Sequence, residues 1–431
     1  GVSKENMEPQ TKTCQNCKTD FTIEPEDFAF YEKIKVPPPT WCPECRMVRR
    51  MVWRNERTLH KRKCDAPQHE ENTISIYHPE ARVVVYDKNY WWADSWDAMD
   101  YGQAYDFSQS FFSQIGGLLQ KVPCNNLLAE GNVNSDYTNF QTDSNNCYLV
   151  FGGAYNENIV YADHGDKSKD SADLYFFSAL ELCYENALCQ NSFRLFFSQN
   201  CDGCSDSAFL IDCRNCQNCF GCVGLRNKQY HMFNEPLTKE EYKKRINEIN
   251  LGSFKEFSKH KTQFDKGKLM FPRKFTNTLN SYNVSGDNII DAKNTKHAFD
   301  ILQGGSEDSK YLFWGGGNMK DAYDGVGVGV RSELLYEDVS VALGNARVSF
   351  SVVTRNSHDV QYSYNCHSSS NLFACVGLRN KQYCILNRQY TKEEYETLVP
   401  KIIQHMNDMP YVDSKGRTYT YGEFFPPELS P

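Results

Sequence analysis

No stretch of the 431-residue chain approaches about 18 consecutive apolar residues, so no ordinary transmembrane helix is expected. No charged-then-apolar segment of the secretory kind stands at its start, where Gly1 replaces Met as in a trimmed chain. A Gly-rich phosphate loop, a Gly-x-Ser-x-Gly elbow and a His-Glu-x-x-His pair are all missing. That removes the commonest signatures of nucleotide, acyl-transfer and metalloprotease chemistry. Disorder is excluded by composition, because 14% aromatic residues are costly to leave in water.

The net charge of -8 is unevenly spread. Arg46, Arg49, Arg50, Arg54, Arg57, Lys61, Arg62 and Lys63 lie in one segment with a single acid, Glu56. That segment is at +7 and the rest of the chain at -15. Two readings follow: contact with a polyanion, or a basic helix docked on the protein's own acidic face.

Cysteine is abundant, with 18 in the chain. Cys14-x-x-Cys17 and Cys42-x-x-Cys45 are two short-spaced pairs with 24 residues between them. Two thiolates from one tight turn bind one ion, and two such turns complete a tetrahedral four-sulfur shell. Structural zinc on Cys14, Cys17, Cys42 and Cys45 is therefore expected, in a ribbon, with no catalytic role. Such thiols point to a reducing compartment, the cytoplasm.

The segment after the second pair, Arg46–His60, has no Gly or Pro and is predicted to be helical. Arg46, Arg50, Arg54 and Arg57 share one face at spacings of three and four. Arg forks suit phosphate oxygens, and Trp53 suits base stacking. The candidate nucleic-acid contacts are Arg46, Arg49, Arg50, Trp53, Arg54, Arg57, Lys61 and Arg62. The competing expectation is that the apolar residues of this helix form a core and its arginines face water. Farther on, Arg82–Tyr86 is expected as a strand. Asp106 is the expected cap of a helix that buries Phe107, Phe111, Ile115 and Leu119.

From about residue 134 the chain becomes rich in Asn, Ser, Asp, Tyr, Phe and Cys. Gln199-Asn-Cys-Asp-Gly-Cys204 recurs as Gln217-Asn-Cys-Phe-Gly-Cys222, a period of 18. Short strands at a fixed period point to a parallel β-solenoid. On a larger scale, Cys222-Val-Gly-Leu-Arg-Asn-Lys-Gln-Tyr230 recurs unchanged as Cys375–Tyr383. The match extends to Arg194 with Arg347, Asp206 with Asp359, and Thr238-Lys-Glu-Glu-Tyr242 with Thr391-Lys-Glu-Glu-Tyr395. The last two are capping boxes, so each unit is expected to end in a helix over its open edge.

Cys213, Cys216, Cys219 and Cys222 superficially resemble an iron–sulfur ligand string. The second unit has Cys366, Ser369, Leu372 and Cys375 there, which favours stacked, reduced interior cysteines over a second zinc or a cluster. Within the repeated nonapeptide, Arg226, Lys228, Arg379 and Lys381 are unchanged, which suggests two matching anion sites.

The two Cys-x-x-Cys pairs, Tyr31-Glu-Lys-Ile-Lys35, Pro38-Pro-Thr-Trp-Cys-Pro-Glu-Cys-Arg46 and Arg57-Thr-Leu-His-Lys-Arg-Lys-Cys64 together resemble a group of uncharacterised bacterial zinc-ribbon proteins. Their long Cys- and Asn-rich repeats are also similar to Cys222–Tyr230. The resemblance implies zinc and carries no activity.

The sequence thus predicts a mainly β protein: an N-terminal four-cysteine zinc ribbon plus two duplicated parallel β-solenoid units, each capped by a short α-helix. The expected divisions are 1–71 for the ribbon and basic helix, 72–133 for an aromatic-rich connection, and 134–282 and 283–431 for the two units. The abrupt close at Pro431 leaves room for a further domain. The expected function is zinc-stabilised binding of DNA or RNA on a rigid platform, without catalysis and without a membrane. A protein scaffold or ligand-binding solenoid is the alternative, and a carbohydrate-active β-helix enzyme the second.

Overall fold

The computed structural model describes residues 8–431 apart from 303 and 342. The chain begins with an antiparallel hairpin, β1 (Gln10–Thr13) and β2 (Asp20–Ile23). Its turn carries Cys14 and Cys17 and closes through Lys18, whose φ of 64° is left-handed. Helix α1 (Pro25–Ile34) starts where Pro25 fits the first turn and Asp27 accepts the Glu24 N–H at 3.1 Å. After the Pro37–Pro39 run, α2 (Pro43–Met51) starts at Cys42.

The predicted helix to His60 ends early, at Met51. Asn55 bonds the Thr58 N–H and carbonyl and the Ile76 carbonyl, which holds a turn instead. His60–Lys63 is a strand paired with Asn72–Ser75. Farther on, Val85–Tyr86 pairs in parallel with Cys124–Asn125. The helix expected from Asp106 spans Phe111–Lys121 and starts after Ser110. Asp106 accepts from Ser108 and Gln109 in the preceding turn. Phe111, Ile115 and Leu119 are buried as the periodicity requires, whereas Phe107 is left exposed.

The rest is dominated by two large sheets of 11 and 13 strands, almost wholly parallel. In the first, every parallel step is twelve residues: Glu157 faces Lys169, Ala172 faces Tyr184, and Gln217 faces Gln229. The sequence period of 18 is therefore not the rung length but one and a half rungs. Its origin is a finer period of three. Asn158, Tyr161, His164, Lys167, Asp170 and Asp173 all have left-handed φ. Between these corners one residue in three turns inward, so any multiple of three looks like a repeat. The second sheet is less regular, with steps of 14 (Lys293 to Glu307), 13 (Lys310 to Tyr323) and 12 (Ser370 to Gln382).

A left-handed corner costs an ordinary residue roughly 1–2 kcal/mol. Ladders of backbone bonds between rungs and a dry interior offset that cost. Asn stacks help, as where Asn134, Asn146 and Asn158 bond in series at 3.1 Å. Both stacks end alike. Gln229–Met232 folds back on Glu235–Pro236, and Gln382–Ile385 on Arg388–Gln389. Helices then start at Lys239 and Lys392, where Thr238 with Glu241 and Thr391 with Glu394 close both capping boxes. The aligned pairs Arg194–Asp206 and Arg347–Asp359 also both form, one rung apart. No helix among the described residues is long and apolar enough to cross a membrane.

Candidate metal centre and its arginine lattice

The hairpin turn brings Cys14 and Cys17 against Cys42 and Cys45 at the start of α2, with all four sulfurs within 4.8 Å of one another. Cys17 Sγ lies 3.7 Å from Cys42 Sγ, close to the roughly 3.8 Å edge of a tetrahedron with 2.3 Å metal–sulfur bonds. The Cys42 N–H and the Asn16 amide point at Cys14 and Cys45 sulfurs, each at 3.2 Å. Such donors stabilise thiolates. Hydrogen bonds from Thr19 hold Cys17 down, to about 6. Burial pushes Cys42 and Cys45 up without a cation. Four cysteines so placed can hold a metal ion and leave no open ligand position.

The helix that follows does not offer its arginines to solvent. Arg46, Arg49 and Arg50 are at most 1% exposed. Arg46 forks onto Asp324, Nε to Oδ1 at 3.0 Å and Nη2 to Oδ2 at 2.9 Å, and donates to the Trp41 carbonyl at 2.7 Å. Arg49 bridges Glu337 and Glu423 at 2.6 Å each, and stacks on Trp41. Arg50 reaches Glu337 at 3.0 Å and Asp324 at 3.4 Å. Three guanidinium groups thus face three carboxyl groups in a cluster closed to solvent. Burial opposes the charge of Arg46 and Arg49, yet the facing carboxylates hold both charged.

The residues expected to contact nucleic acid are placed as follows. The shared face of Arg46 and Arg50 exists, but it turns into the second sheet. Trp53 is buried against Tyr364, Phe424 and Phe425. Arg54 donates to Glu56 at 3.1 Å and to Ser340, and lies over Phe140. Arg57 is exposed but paired with Asp163. Arg62 is buried against Asp65, His78 and Val83. Of the eight, only Lys61 stays exposed without an ion-pair partner among the described residues. For Arg46, Arg49 and Arg50 this is the docked-helix alternative read from the charge distribution; with the partner acids 278 to 374 residues downstream, the local sequence did not say which acids they would be.

The two nonapeptides also part company. Arg379 donates to the carbonyls of Trp92 and Ala93 at 2.7 and 3.1 Å, and Lys381 to Asp97 at 2.8 Å. These two cations are engaged with the Trp92–Asp97 segment of the same chain. Among the described residues Arg226 donates to the Asp212 and Leu225 carbonyls, and Lys228 is exposed.

Cys213, Cys216, Cys219 and Cys222 are one inward residue on each successive side of one rung, all buried. Their thiols donate to the carbonyls two residues back, at 3.3 to 3.5 Å. The Cys-x-x-Cys spacing there is the three-residue period of the fold. Among the described residues they form no metal-sized group.

A second group, Glu56, Asp163 and His164, is metal-sized. His164 Nε2 lies 3.0 Å from Glu56. Arg54 and Arg57 already neutralise its acids, which leaves little attraction for a cation. Beside it runs an apolar cavity of 390 Å³ walled by Trp314, Phe176 and several glycines. No protein-family model and no curated protein matches the chain.

Proposed function

We propose that the chain is a non-catalytic binding scaffold: two β-solenoids held together by a zinc-bound ribbon whose arginines are spent inside the protein. One observation carries this. Arg46, Arg49 and Arg50 leave the second Cys pair and end on Asp324, Glu337 and Glu423 on the side of the second sheet, while Arg57 pairs with Asp163 of the first, so the segment works as a clamp. Zinc fits the four-sulfur donor set and the closed shell, where it would fix the angle at which α2 enters the lattice. A cytoplasmic, reducing setting suits the free thiols of this set. The regular twelve-residue steps and inward cysteines support rigid solenoids whose outer faces are free to bind.

The same burial argues against nucleic acid as the ribbon's partner. Fluorescence anisotropy with labelled DNA and RNA at increasing salt tests this. Weak binding, unaltered by Lys61→Glu with Lys63→Glu, is expected. Tight binding with a steep salt slope that those changes abolish would overturn the scaffold reading in favour of the nucleic-acid one.

A further inference from the structure

The same nine residues occur twice, and among the described residues a tryptophan-rich segment covers the outer face of one copy and not of the other. Over Cys375–Tyr383 lies the segment Trp91-Trp92-Ala93-Asp94-Ser95-Trp96-Asp97-Ala98. Arg379 sits within 5.3 to 5.8 Å of the three indole rings while binding the Trp92 and Ala93 carbonyls. Lys381 takes the Asp97 carboxylate, and Asn387 donates to the Ala98 carbonyl at 2.9 Å. A Cβ on Gly377 would lie 3.2 Å from Val122, 3.7 Å from Ala98 and 3.8 Å from Trp91, so this corner is covered. Leu378 is fully buried beneath it.

Cys222–Tyr230 is built the same way. Asn234 binds the Val223 N–H and carbonyl at 2.7 and 2.8 Å, as Asn387 binds those of Val376 at 2.8 Å. The backbone receptor is therefore already formed. Nothing lies within 4 Å of a Cβ placed on Gly224. Arg226 and Lys228 are exposed, whereas Arg379 and Lys381 are half covered. Flanking residues differ: Ser368 is Asn215 in the first copy, and His367, which packs on Trp91 and Trp92, is replaced by Arg214, itself 3.4 Å from Asp202. Arginine stacks on indole at least as well as histidine.

We infer that Cys222–Tyr230 is a docking site for a tryptophan-rich, aspartate-bearing segment of another protein, bound as Trp91–Ala98 is bound by Cys375–Tyr383. The partner gives backbone carbonyls and indole faces to Arg226 and a carboxylate to Lys228. Its own copy of Trp91–Ala98 does not serve, because Trp91 is wholly buried. Aromatic anchors beside an Arg are what concentrate binding energy at interfaces.

This names a partner for the scaffold and rests on that reading. The test uses a dye-labelled peptide of the sequence 88–101 and the full-length protein, followed by anisotropy. Saturable binding is expected, weakened at least tenfold by Arg226→Ser with Lys228→Ser and by Trp→Ala changes in the peptide. Both protein positions are exposed, so an unchanged melting temperature should accompany the loss. A peptide closed into a ring is run in parallel, so that the cost of ordering a free chain does not mask the site. Absence of binding by both peptides overturns the inference while leaving the scaffold reading in place. So does binding that ignores the double change, or displacement of the peptide by an oligonucleotide.

Discussion

Arg46 lays the fork of its guanidinium on Asp324, two parallel bonds at 3.0 and 2.9 Å across 278 residues of sequence. Both side chains are at most 1% exposed. The pair ties the four-cysteine centre to a central strand of the second sheet, and Arg49 and Arg50 extend the tie to Glu337 and Glu423. Removing two charges from water is costly, so the lattice specifies where the ribbon sits more than it adds stability.

Breaking that lattice from one side should be expensive. Arg46→Met leaves Asp324 buried with only the more distant Arg50, and a loss of about 3–5 kcal/mol is expected in urea unfolding. Arg46→Met with Asp324→Leu should cost less than Arg46→Met alone. A double variant that is worse than either single would contradict this account.

Metal content should track the cysteines. Purified protein is expected to hold one zinc ion per chain by mass spectrometry of the metal, and Cys42→Ser to lose it. Chelation should lower the melting temperature, because binding energy at such a site is folding energy. Retention of the ion by Cys42→Ser would dismiss the assignment.

Stability should fall in mild acid through His367. Burial first, then the nearby Arg355 and Arg379, hold its imidazole down to about 3. The unfolded chain takes up the proton near 6.5 and the folded protein does not, so its stabilising share is full above 6.5. That share is lost as pH drops from 6.5 towards 3, by up to about 1.4 kcal/mol per unit. Glu56 adds to the loss lower down: burial opposes its charge, but His164 and Arg54 outweigh burial and hold it at about 2. Its share is present above 4.5 and fades towards 2. His367→Gln should flatten the stability profile between pH 6.5 and 4, measured by chemical denaturation at each pH. An unaltered slope would refute the role given to His367.

Thiol reactivity should separate the two kinds of cysteine. Cys17 is exposed, and the cysteines outside the ribbon are all buried. In the native protein with metal removed, maleimide should label the ribbon within minutes and the stacked cysteines only as fast as the protein unfolds. Rapid native labelling at Cys213 or Cys216 would disprove a closed interior.

Two glycines should respond differently to alanine. At Gly153, φ is 121° and a Cβ would lie 1.7 Å from the Gly165 carbonyl oxygen. Gly153→Ala should cost well over about 1 kcal/mol, while Gly224→Ala, in open space, should cost about 1 for its left-handed backbone alone. Equal melting temperatures for the two variants would argue against rungs packed this closely.

The sequence by itself determined what depends on near neighbours. Two Cys-x-x-Cys turns need only local geometry to point four sulfurs at one place. A Thr followed three residues later by Glu starts a helix wherever it falls, and the duplicated nonapeptide marks two equivalent rungs without any structure. Buried alternation around Phe111, Ile115 and Leu119 follows from helical period alone. The rung length was hidden because every third residue turns inward, so 18 fits the pattern as well as twelve does. Only the pairing of Glu157 with Lys169 chooses between them. Tertiary structure also decided the fate of every arginine in α2. Their spacing fixes a shared face but not what that face meets, and Asp324, Glu337 and Glu423 lie hundreds of residues away. It decided too that Arg379 is covered by three tryptophans while Arg226 is not, since identical sequences differ there only in what the rest of the chain brings to them.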